Sequence, residues 1–387
     1  MLKLSQDQKK ALNQLLDWYR KEKTVDTHIT LGGYAGTGKT TLIAVFRKRL
    51  KEIDEKLKVS FVCYTGKASR VLRQKLKEEK AVFPKDTVGT IHSLIYTPIE
   101  NDRQEIVGWK RKDKIDSQLI VIDEASMVDG LIWEHLLTYK IPIIAVGDHG
   151  QLPPIKNNFN LMEKPDLKLE EIHRQARENP IIALSIQARQ DGIVLPNKYA
   201  NRVRKFDKSD PEAQEAMAEL LTNYDNNTLV LCGYNHTRRK LNNFIRQALG
   251  FESPSPLPND RVICLRNNHT AGIFNGMLGT IVSIKLKTDK WYQVEINMDG
   301  EETNYEGLIS VDQFGNDLPM NFTQRRREIM KGDLFDFGYA LTVHKAQGGQ
   351  AKKVILFEER FKQTTDDQWK RWLYTAVTRA EKELYIF

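Results

Sequence analysis

The stretch "GYAGTGKTT" at residues 33–41 has the residue types and the spacing of a phosphate-binding loop. It follows an apolar segment, residues 28–31, and precedes a helical pattern that begins at Leu42, which is the strand–loop–helix context of a Walker A motif. Its glycines allow backbone N–H groups to surround phosphate oxygens at a helix N-terminus. We expect Lys39 to contact the β- and γ-phosphates of a nucleotide and the Thr40 hydroxyl to bind Mg²⁺. The other predicted nucleotide contacts in this loop are Gly33, Ala35, Gly36, Thr37, Gly38 and Thr41.

Two carboxylates end a second apolar strand, in the stretch "LIVIDEAS" at residues 119–126. This is the pattern of a Walker B motif. We expect Asp123 to hold the Mg²⁺ shell and Glu124 to orient or deprotonate an attacking water. Two acids at a strand end are commonly no more than solvated, but the phosphate-binding loop earlier in the chain favours the catalytic role.

The stretch "LSQDQ" at residues 4–8 allows two roles for Gln8. Ser5 and Gln8 have the spacing of a capping box in front of a helical pattern that includes Leu12 and Leu15. A glutamine upstream of a phosphate-binding loop can also pair with the edge of adenine through its amide donor and acceptor. The residues alone favour capping and leave adenine recognition as the alternative.

Composition limits the class of protein. The chain has 387 residues, a net charge of +8 and a pI near 9.1, which suits a polyanionic partner without requiring one. The three cysteines, at 63, 232 and 264, are far apart in apolar runs and do not form a metal-ligand pattern. There is no signal-like N-terminus and no apolar run of membrane-spanning length, so we expect a soluble, cytoplasmic protein without membrane association.

The order of apolar runs predicts an α/β fold with two parallel-sheet units. Short β-branched runs alternate with amphipathic helical patterns before about residue 178, and the series resumes at residue 227. Two inserts interrupt this alternation. Residues 97–116 read as an exposed hairpin, and residues 279–305 contain alternating apolar residues and the turn signal Asp299-Gly300, which is typical of a small antiparallel barrel.

Taken in order, the motifs resemble those of the superfamily 1B DNA helicases of the RecD and Dda type. The resemblance runs from Leu4 to the last residue, and each motif alone would be weak evidence. Besides the three stretches above, the matching segments are "YTGKAS" (64–69), "TIHSL" (90–94), "GDHGQLPP" (147–154), "EIHRQA" (171–176), "IFNGMLGT" (273–280), "TVHKAQGG" (342–349) and "YTAVTRA" (374–380).

The resemblance implies two RecA-like lobes with ATP in the cleft and single-stranded DNA across their top. Lobe 1A would comprise residues 1–96 and 117–178, and the inserted hairpin at 97–116 would be the pin of domain 1B. Lobe 2A would comprise residues 179–278 and 333–387, with an SH3-like β-barrel, domain 2B, inserted at 279–332.

The same resemblance assigns roles in ATP hydrolysis. Arg379 and Arg174 would be arginine fingers, each worth about 10³–10⁵ in rate where such residues have been measured. An exposed salt bridge is the alternative for either arginine, at about 0–1 kcal/mol. Gln151 would sense the γ-phosphate, Gln8 would contact adenine as well as cap a helix, and Gln350 stands where many relatives place a glutamate near the ribose.

For DNA, the resemblance points to small polar residues after strand ends, which suit phosphate contacts. These predicted contacts are Thr65, Thr90, His92, Asn235, Thr342, His344 and Lys345. A single threonine in such a place is more often a helix cap or turn residue. Trp109 in the hairpin could stack on the last base pair, or could instead pack on its own lobe.

We therefore expect an ATP- and Mg²⁺-dependent DNA helicase that moves on single-stranded DNA, with 5′→3′ polarity taken from the family. Its partners would be single strands, single-strand/duplex junctions and replication or repair proteins, and a monomer is expected because both halves of the ATP site lie in one chain. Two alternatives remain at this stage: an ATP-switched DNA-binding or displacement motor without unwinding activity, and a P-loop kinase. RNA also remains possible as the track.

Overall fold

The computed structural model describes residues 4–21, 28–100, 106–154, 159–172, 178–268, 271–301, 303–316, 320 and 331–387. The chain divides into two compact units, Met1–Arg189 and Gln190–Phe387. The division falls eleven residues after position 178, where the sequence placed the end of the first lobe. None of the helices in the described ranges is long and apolar enough to cross a membrane.

The first unit is built on a six-stranded sheet in which all neighbouring strands are parallel. Its strands are β1 (His28–Gly33), β2 (Val59–Cys63), β3 (Thr87–Thr90), β6 (Leu119–Asp123), β7 (Ile143–Gly147) and β8 (Leu167–Leu169). They lie in the order β3-β2-β6-β7-β1-β8. The carboxyl ends of parallel strands meet at one edge of a sheet, so the loops after β1, β2, β3 and β6 share that edge.

Helices cover both faces of this sheet, as its uninterrupted apolar strands predict. The helices of the first unit are α1 (Gln6–Lys21), α2 (Lys39–Ile53), α3 (Gly66–Glu78), α4 (Ile91–Ile95) and α5 (Gly130–Leu137), with a 3₁₀ turn at Ala125–Met127. Apolar residues of α1, α2 and α3 form one core cluster with alternate residues of β2, such as Phe61. Those of α4 and α5 pack with Val62, on the opposite face.

An antiparallel pair of strands occupies the first insert. These strands are β4 (Tyr96–Glu100) and β5 (Ile106–Arg111), and Pro98 lies opposite Trp109. The side chain of Trp109 lies outside the described part of the structure, so its predicted role as a DNA contact stays a prediction.

The second unit contains a six-stranded sheet in which the C-terminal strand of the chain is an inner strand. Its strands are β9 (Asn197–Ala200), β10 (Val203–Lys205), β11 (Thr228–Cys232), β17 (Ala340–Thr342), β18 (Ala351–Leu356) and β19 (Ala380–Ile386). Their order is β17-β11-β18-β19-β10-β9, and only the β10–β9 pair is antiparallel. The helices that follow α5 are α6 (Pro180–Asp191), α7 (Pro211–Thr222), α8 (Asn235–Ala248) and α9 (Asp366–Val377).

A five-stranded antiparallel sheet is formed by the part of the chain between α8 and β17, and it includes more residues than the sequence indicated. Its strands are β12 (Arg261–Cys264), β13 (Leu278–Thr288), β14 (Trp291–Met298), β15 (Tyr305–Ser310) and β16 (Phe335–Phe337). They lie in the order β15-β14-β13-β12-β16, and a bridge between Ile309 and Asp333 joins β15 to the segment that leads into β16. The sheet therefore extends beyond residues 279–332 on both sides, because β12 and β16 pair with each other and β12 with β13.

Candidate nucleotide and nucleic-acid site

The phosphate-binding loop connects β1 to α2 through two glycines in the left-handed region. Gly36 has φ 80° and Gly38 has φ 74°, which residues with a Cβ rarely adopt. Gly38 is the N-cap of α2 and offers no side chain to cap it, so the first N–H groups of the helix are open to an anion. Lys39 Nζ donates hydrogen bonds to the carbonyl oxygens of Gly33 at 2.6 Å and Tyr34 at 3.0 Å. The ammonium group is thus held over the loop in which phosphates would bind.

The Walker B acids lie at the carboxyl end of β6, two strands from β1. Burial raises the pKa of the Asp123 carboxyl, and the nearby Lys39 ammonium opposes that shift. Asp123 Oδ1 accepts a hydrogen bond of 3.0 Å from the Glu124 backbone N–H. Glu124 has φ 56°, a left-handed conformation that is uncommon for a residue with a side chain and clusters at functional sites.

The predicted magnesium ligands fit a hard cation. Thr40 lies in the first turn of α2, and its hydroxyl makes no hydrogen bond with any residue in the described ranges. A threonine hydroxyl and a carboxylate are oxygen ligands of the kind that Mg²⁺ takes, so Thr40 and Asp123 would suit this ion. Among the described residues, the structure contains no cluster of three His, Cys, Asp or Glu side chains that would hold another metal.

Gln8 both caps α1 and contacts the phosphate-binding loop. Its amide oxygen accepts a hydrogen bond of 3.0 Å from Ser5 N, which is the reciprocal half of a capping box. Its amide nitrogen donates to the carbonyl oxygens of Thr37 at 3.0 Å and Gly38 at 3.4 Å. The side chain is 1% exposed. The capping role that the sequence favoured is therefore present, and the adenine contact stays a prediction.

Gln151 and its neighbours form a compact turn in the same unit. Asp148 Oδ1 accepts a hydrogen bond of 2.9 Å from Gly150 N, and Gln151 Nε2 lies 3.4 Å from Asp148 Oδ2. The His149 ring packs on Tyr34 of the phosphate-binding loop, with ring centroids 4.2 Å apart. The Gln151 segment therefore adjoins the loop that would hold the γ-phosphate.

The predicted DNA residues of the first unit share the carboxyl edge of its sheet. Thr65 follows β2 and caps α3 by accepting a hydrogen bond from Ala68 N at 3.2 Å. Thr90 ends β3 and caps α4 through a capping box with Ser93. The His92 ring lies edge-on to Tyr64 at 5.6 Å, and burial lowers the pKa of His92. Both threonines thus have the capping role that the sequence left open beside DNA contact.

In the second unit, Arg379 is a buried cation whose hydrogen-bond partners, among the residues that the structure describes, are neutral oxygens. It lies between α9 and β19 and is 2% exposed. Its guanidinium donates to the carbonyl oxygens of Thr375 at 3.0 Å and Gly349 at 3.1 Å, and to Thr378 Oγ1 at 3.2 Å. No carboxylate in the described ranges forms an ion pair with it. An exposed salt bridge, the alternative considered from the sequence, is not its role among these residues.

Gln350 is connected to the same segment. Its side-chain amide donates a hydrogen bond of 3.3 Å to the carbonyl oxygen of Thr378, and the residue is exposed. Arg174 lies outside the described residues, so its assignment as a second finger stays a prediction.

The remaining predicted DNA residues of the second unit follow β11 and β17. Thr342 ends β17, and His344 and Lys345, the two residues after Val343, are half-buried. Burial lowers the pKa of His344; for Lys345, burial and the neighbouring Arg238 lower the pKa to about 8, against the opposing effect of Asp336. Asn235 is the first residue of α8, which follows β11.

Glu359 is a residue of this region that sequence reasoning missed. Its Oε2 accepts hydrogen bonds from Gly233 N at 2.8 Å and Tyr234 N at 3.1 Å, and its Oε1 accepts one from Thr237 Oγ1 at 2.5 Å. The carboxylate therefore holds the turn that leads into α8, next to Asn235. No local pattern indicates this contact, because it joins residues more than 120 positions apart.

A phosphate-binding loop at the end of a parallel strand, with a buried acid near its lysine, defines the class of P-loop nucleotide hydrolases. Within that class, residues 20–157 match a family model described as an AAA domain. Residues 337–387 match one described as a UvrD-like helicase C-terminal domain.

Known helicases resemble the chain over nearly its whole length. It is 24% identical over 484 residues to the RecBCD enzyme subunit RecD of Buchnera aphidicola subsp. Schizaphis graminum, across 98% of this chain and 75% of RecD. It is 26% identical over 413 residues to the ATP-dependent RecD2 DNA helicase of Deinococcus radiodurans, across 99% of this chain and 48% of RecD2. The chain thus spans about half the length of the second relative.

A solved structure shares the fold. The Pif1 helicase from Bacteroides in complex with ADP-AlF3 and single-stranded DNA superposes with a TM-score of 0.54 at 17% identity, over 100% of this chain and 92% of that one. The core of this chain is accordingly RecA-like. These matches confirm the resemblance of this chain to the superfamily 1B DNA helicases of the RecD and Dda type, which are ATP-dependent enzymes.

Proposed function

We propose that this protein unwinds duplex DNA by moving 5′→3′ along a single strand, with Mg²⁺ and ATP as cofactors. One observation carries the proposal: the nucleotide residues and the first DNA residues lie on one carboxyl edge of a single sheet. Lys39 and Asp123 follow β1 and end β6, and Thr65 and Thr90 follow β2 and end β3. The residues that would bind the γ-phosphate are therefore only a few β-strands away from the predicted contacts to single-stranded DNA.

Lys39, Thr40 and Asp123 would bind the triphosphate and its Mg²⁺, and Glu124 would activate the attacking water. Arg379 would stabilise the charge that develops on the γ-phosphate, because its guanidinium has no carboxylate partner in the described ranges that would compete for it. Gln151, which is held by the Asp148 turn, would sense the γ-phosphate and report it to the DNA side. Arg174 and Gln350 would complete the nucleotide site, and Gln8 would add the adenine contact.

Thr65, Thr90 and His92 would hold the track in the first unit, and Asn235, Thr342, His344 and Lys345 would hold it in the second. The hairpin of β4 and β5 would be the pin, with Trp109 at the last base pair. The antiparallel sheet that begins at β12 would be the SH3-like domain. A monomer that works on single strands and junctions, with replication or repair proteins as partners, fits the presence of both predicted ATP-site halves in one chain.

Two measurements test the proposal. Lys39→Ala should abolish ATP hydrolysis that single-stranded DNA stimulates, because the variant lacks the lysine that neutralises the phosphates; a variant that keeps most of this hydrolysis would overturn the assignment. A P-loop kinase would show no stimulation by DNA in the wild-type protein.

Unwinding of duplexes that carry a single 5′ or a single 3′ tail decides polarity. We expect unwinding from the 5′ tail. Unwinding from the 3′ tail alone would refute the direction, and DNA-stimulated hydrolysis without strand separation on either substrate would indicate a displacement motor.

A further inference from the structure

A cleft of about 340 Å³ lies at the outer edge of the first sheet, beside the residues that follow the hairpin. Its walls include Ser60 of β2, Thr90 of β3, and Lys112 and Lys114 after β5. Because β3 is the outermost strand on this side, the cleft is bounded by the sheet edge and by the segment that returns from β5 to β6. We call it the edge cleft. Its volume lies in the range of about 300–1,000 Å³ that is usual for ligand pockets.

The edge cleft has an excess of positive charge and many hydroxyl groups. Its acidic residue, Asp116, is paired with Lys58 at 2.7 Å. Lys112 Nζ donates a hydrogen bond of 2.8 Å to the carbonyl oxygen of Ser93. Lys114 is exposed and makes neither a hydrogen bond nor an ion pair with the residues that the structure describes.

The lining therefore suits an anionic, sugar-bearing ligand. Hydroxyls on the cleft wall include those of Ser60 and Thr87, which are joined by a hydrogen bond of 2.9 Å. Lysines and small hydroxyl residues are the side chains that most often contact the phosphates and sugars of nucleic acids. Gly89 adds no side chain to the wall, where a Cβ would lie 3.2 Å from Ser93 Oγ.

The position of the cleft separates it from the predicted track. Thr90 lies on its rim at the carboxyl end of β3, where the tracked strand is proposed to pass. From there the cleft extends toward the amino ends of β2 and β3, at Ser60 and Thr87. A DNA strand bound along the carboxyl edge of the sheet would not pass through the cleft. A DNA strand that leaves the duplex at the base of the hairpin would instead reach Lys112 and Lys114 first.

We propose that the edge cleft binds the backbone of the displaced DNA strand, the one that the hairpin separates from the tracked strand. The inference rests on the proposed helicase function. Lys112 and Lys114 contact its phosphates, and the exposed Thr87, whose hydroxyl is oriented by the buried Ser60, contacts its sugar–phosphate chain. Holding the displaced strand away from the tracked one opposes reannealing behind the hairpin.

Equilibrium binding without ATP tests this proposal on three DNAs. These are a short single strand, a duplex with one 5′ tail, and a fork that adds a 3′ tail on the complementary strand. We expect the wild-type protein to bind the fork more tightly than the singly tailed duplex. Lys112→Gln/Lys114→Gln should lower fork affinity about three- to tenfold and remove this preference, with single-strand binding unchanged. The salt dependence of fork binding should fall by about 0.7 in log–log slope for each phosphate that the variant no longer neutralises.

Two further variants show whether an effect of the double variant comes from the lost charges or from misfolding. Lys114→Gln alone removes one charge without removing any hydrogen bond among the described residues, so it should fold normally and show part of the effect. Lys77→Gln is the matched control, since Lys77 is exposed in the last turn of α3, outside the cleft lining and outside the predicted DNA contacts; it should bind all three DNAs as the wild type does.

The possible results separate the proposals. If the double variant keeps the wild-type preference for the fork, the proposal that the edge cleft binds the displaced strand is wrong. It is also wrong if the double variant binds all three DNAs more weakly to the same extent, since the lysines would then contact the tracked strand. Stimulation of ATP hydrolysis by single-stranded DNA, measured on the same proteins, tests the helicase function independently.

Discussion

The side-chain amide nitrogen of Gln8 donates a 3.0 Å hydrogen bond to the carbonyl oxygen of Thr37, inside the phosphate-binding loop. The other end of the same amide accepts a hydrogen bond from Ser5 N at the start of α1. One buried side chain therefore connects the first helix to the loop that binds phosphate, and the loop conformation depends on a residue 29 positions earlier.

Gln8→Glu should weaken ATP binding. The substitution places a carboxylate against the carbonyl oxygens of Thr37 and Gly38, and a buried hydrogen bond of this kind is worth about 1–3 kcal/mol. We expect the Kd for ATP, measured by calorimetry, to rise at least about fivefold. Ser5→Ala is the control, since it removes the hydroxyl that accepts from Gln8 N at 3.4 Å and leaves the loop contact. Equal losses in both variants would show that Gln8 acts only as a helix cap.

Sequence reasoning works best here where a function depends on neighbouring residues. The phosphate-binding loop, the acids that end β6 and the caps at Thr65 and Thr90 are each encoded within a few positions, so their local structure follows from local chemistry. The two parallel sheets were also predictable, because buried parallel strands require continuous apolar runs.

Contacts between distant segments were not predictable from the sequence. Residues 262–264 form a short apolar run that resembles another parallel strand, yet β12 pairs antiparallel with β13 and β16. The contact of Glu359 with the turn before α8 and the contact of Gln8 with the phosphate-binding loop have no local signature either. Their partners are set by tertiary packing, which overrides local propensity.

Asp123→Asn should raise the stability of the folded protein and lower its rate of ATP hydrolysis. Burial raises the pKa of Asp123, so the folded state disfavours the ionised form even though Lys39 opposes the shift. The raised pKa contributes stability below the unfolded-state value, and this contribution is lost as pH rises through the folded value. At pH 7 without Mg²⁺ the neutral asparagine should therefore raise the Tm, and the difference from wild type should shrink toward pH 4.

The same variant should lose ATP hydrolysis, by about a thousandfold, because a metal ligand contributes several kcal/mol to the transition state. Thermal unfolding and hydrolysis are measured on one preparation. A variant that is less stable than wild type at pH 7 in the absence of Mg²⁺ would show that the ionised carboxylate is favourable in the fold.

Arg379→Lys should reduce kcat for DNA-stimulated ATP hydrolysis by about 10³ or more, with a much smaller change in ATP affinity. A lysine retains the charge but cannot reproduce the guanidinium hydrogen bonds to Thr375, Gly349 and Thr378. Arg371→Lys is the matched control on α9, because Arg371 pairs with Asp367 at 2.7 Å and has no predicted role in the ATP site. If Arg379→Lys hydrolyses ATP within tenfold of wild type, Arg379 is not a finger.

Affinity for single-stranded DNA should depend on pH through Lys345. Its pKa is lowered to about 8 by burial and by Arg238, with Asp336 opposing, so the ammonium is mostly charged at pH 7 and mostly neutral at pH 9. A phosphate binds only the charged form, so DNA affinity should fall as pH rises through 8, by at most about tenfold per pH unit. His344 does not titrate in this window, because burial lowers its pKa below the usual value of 6.5.

Lys345→Arg isolates this effect, since an arginine stays charged throughout the range. Fluorescence anisotropy with a labelled single strand should give an affinity that is flat from pH 7 to pH 9 for the variant and falling for the wild type. The lowered pKa also means that the charged ammonium costs folding stability as pH falls through about 8, so the wild-type Tm should be higher at pH 9 than at pH 7. A wild-type affinity that does not change with pH, together with the expected rise in Tm, would place Lys345 in the core of the second unit and remove it from the DNA contacts.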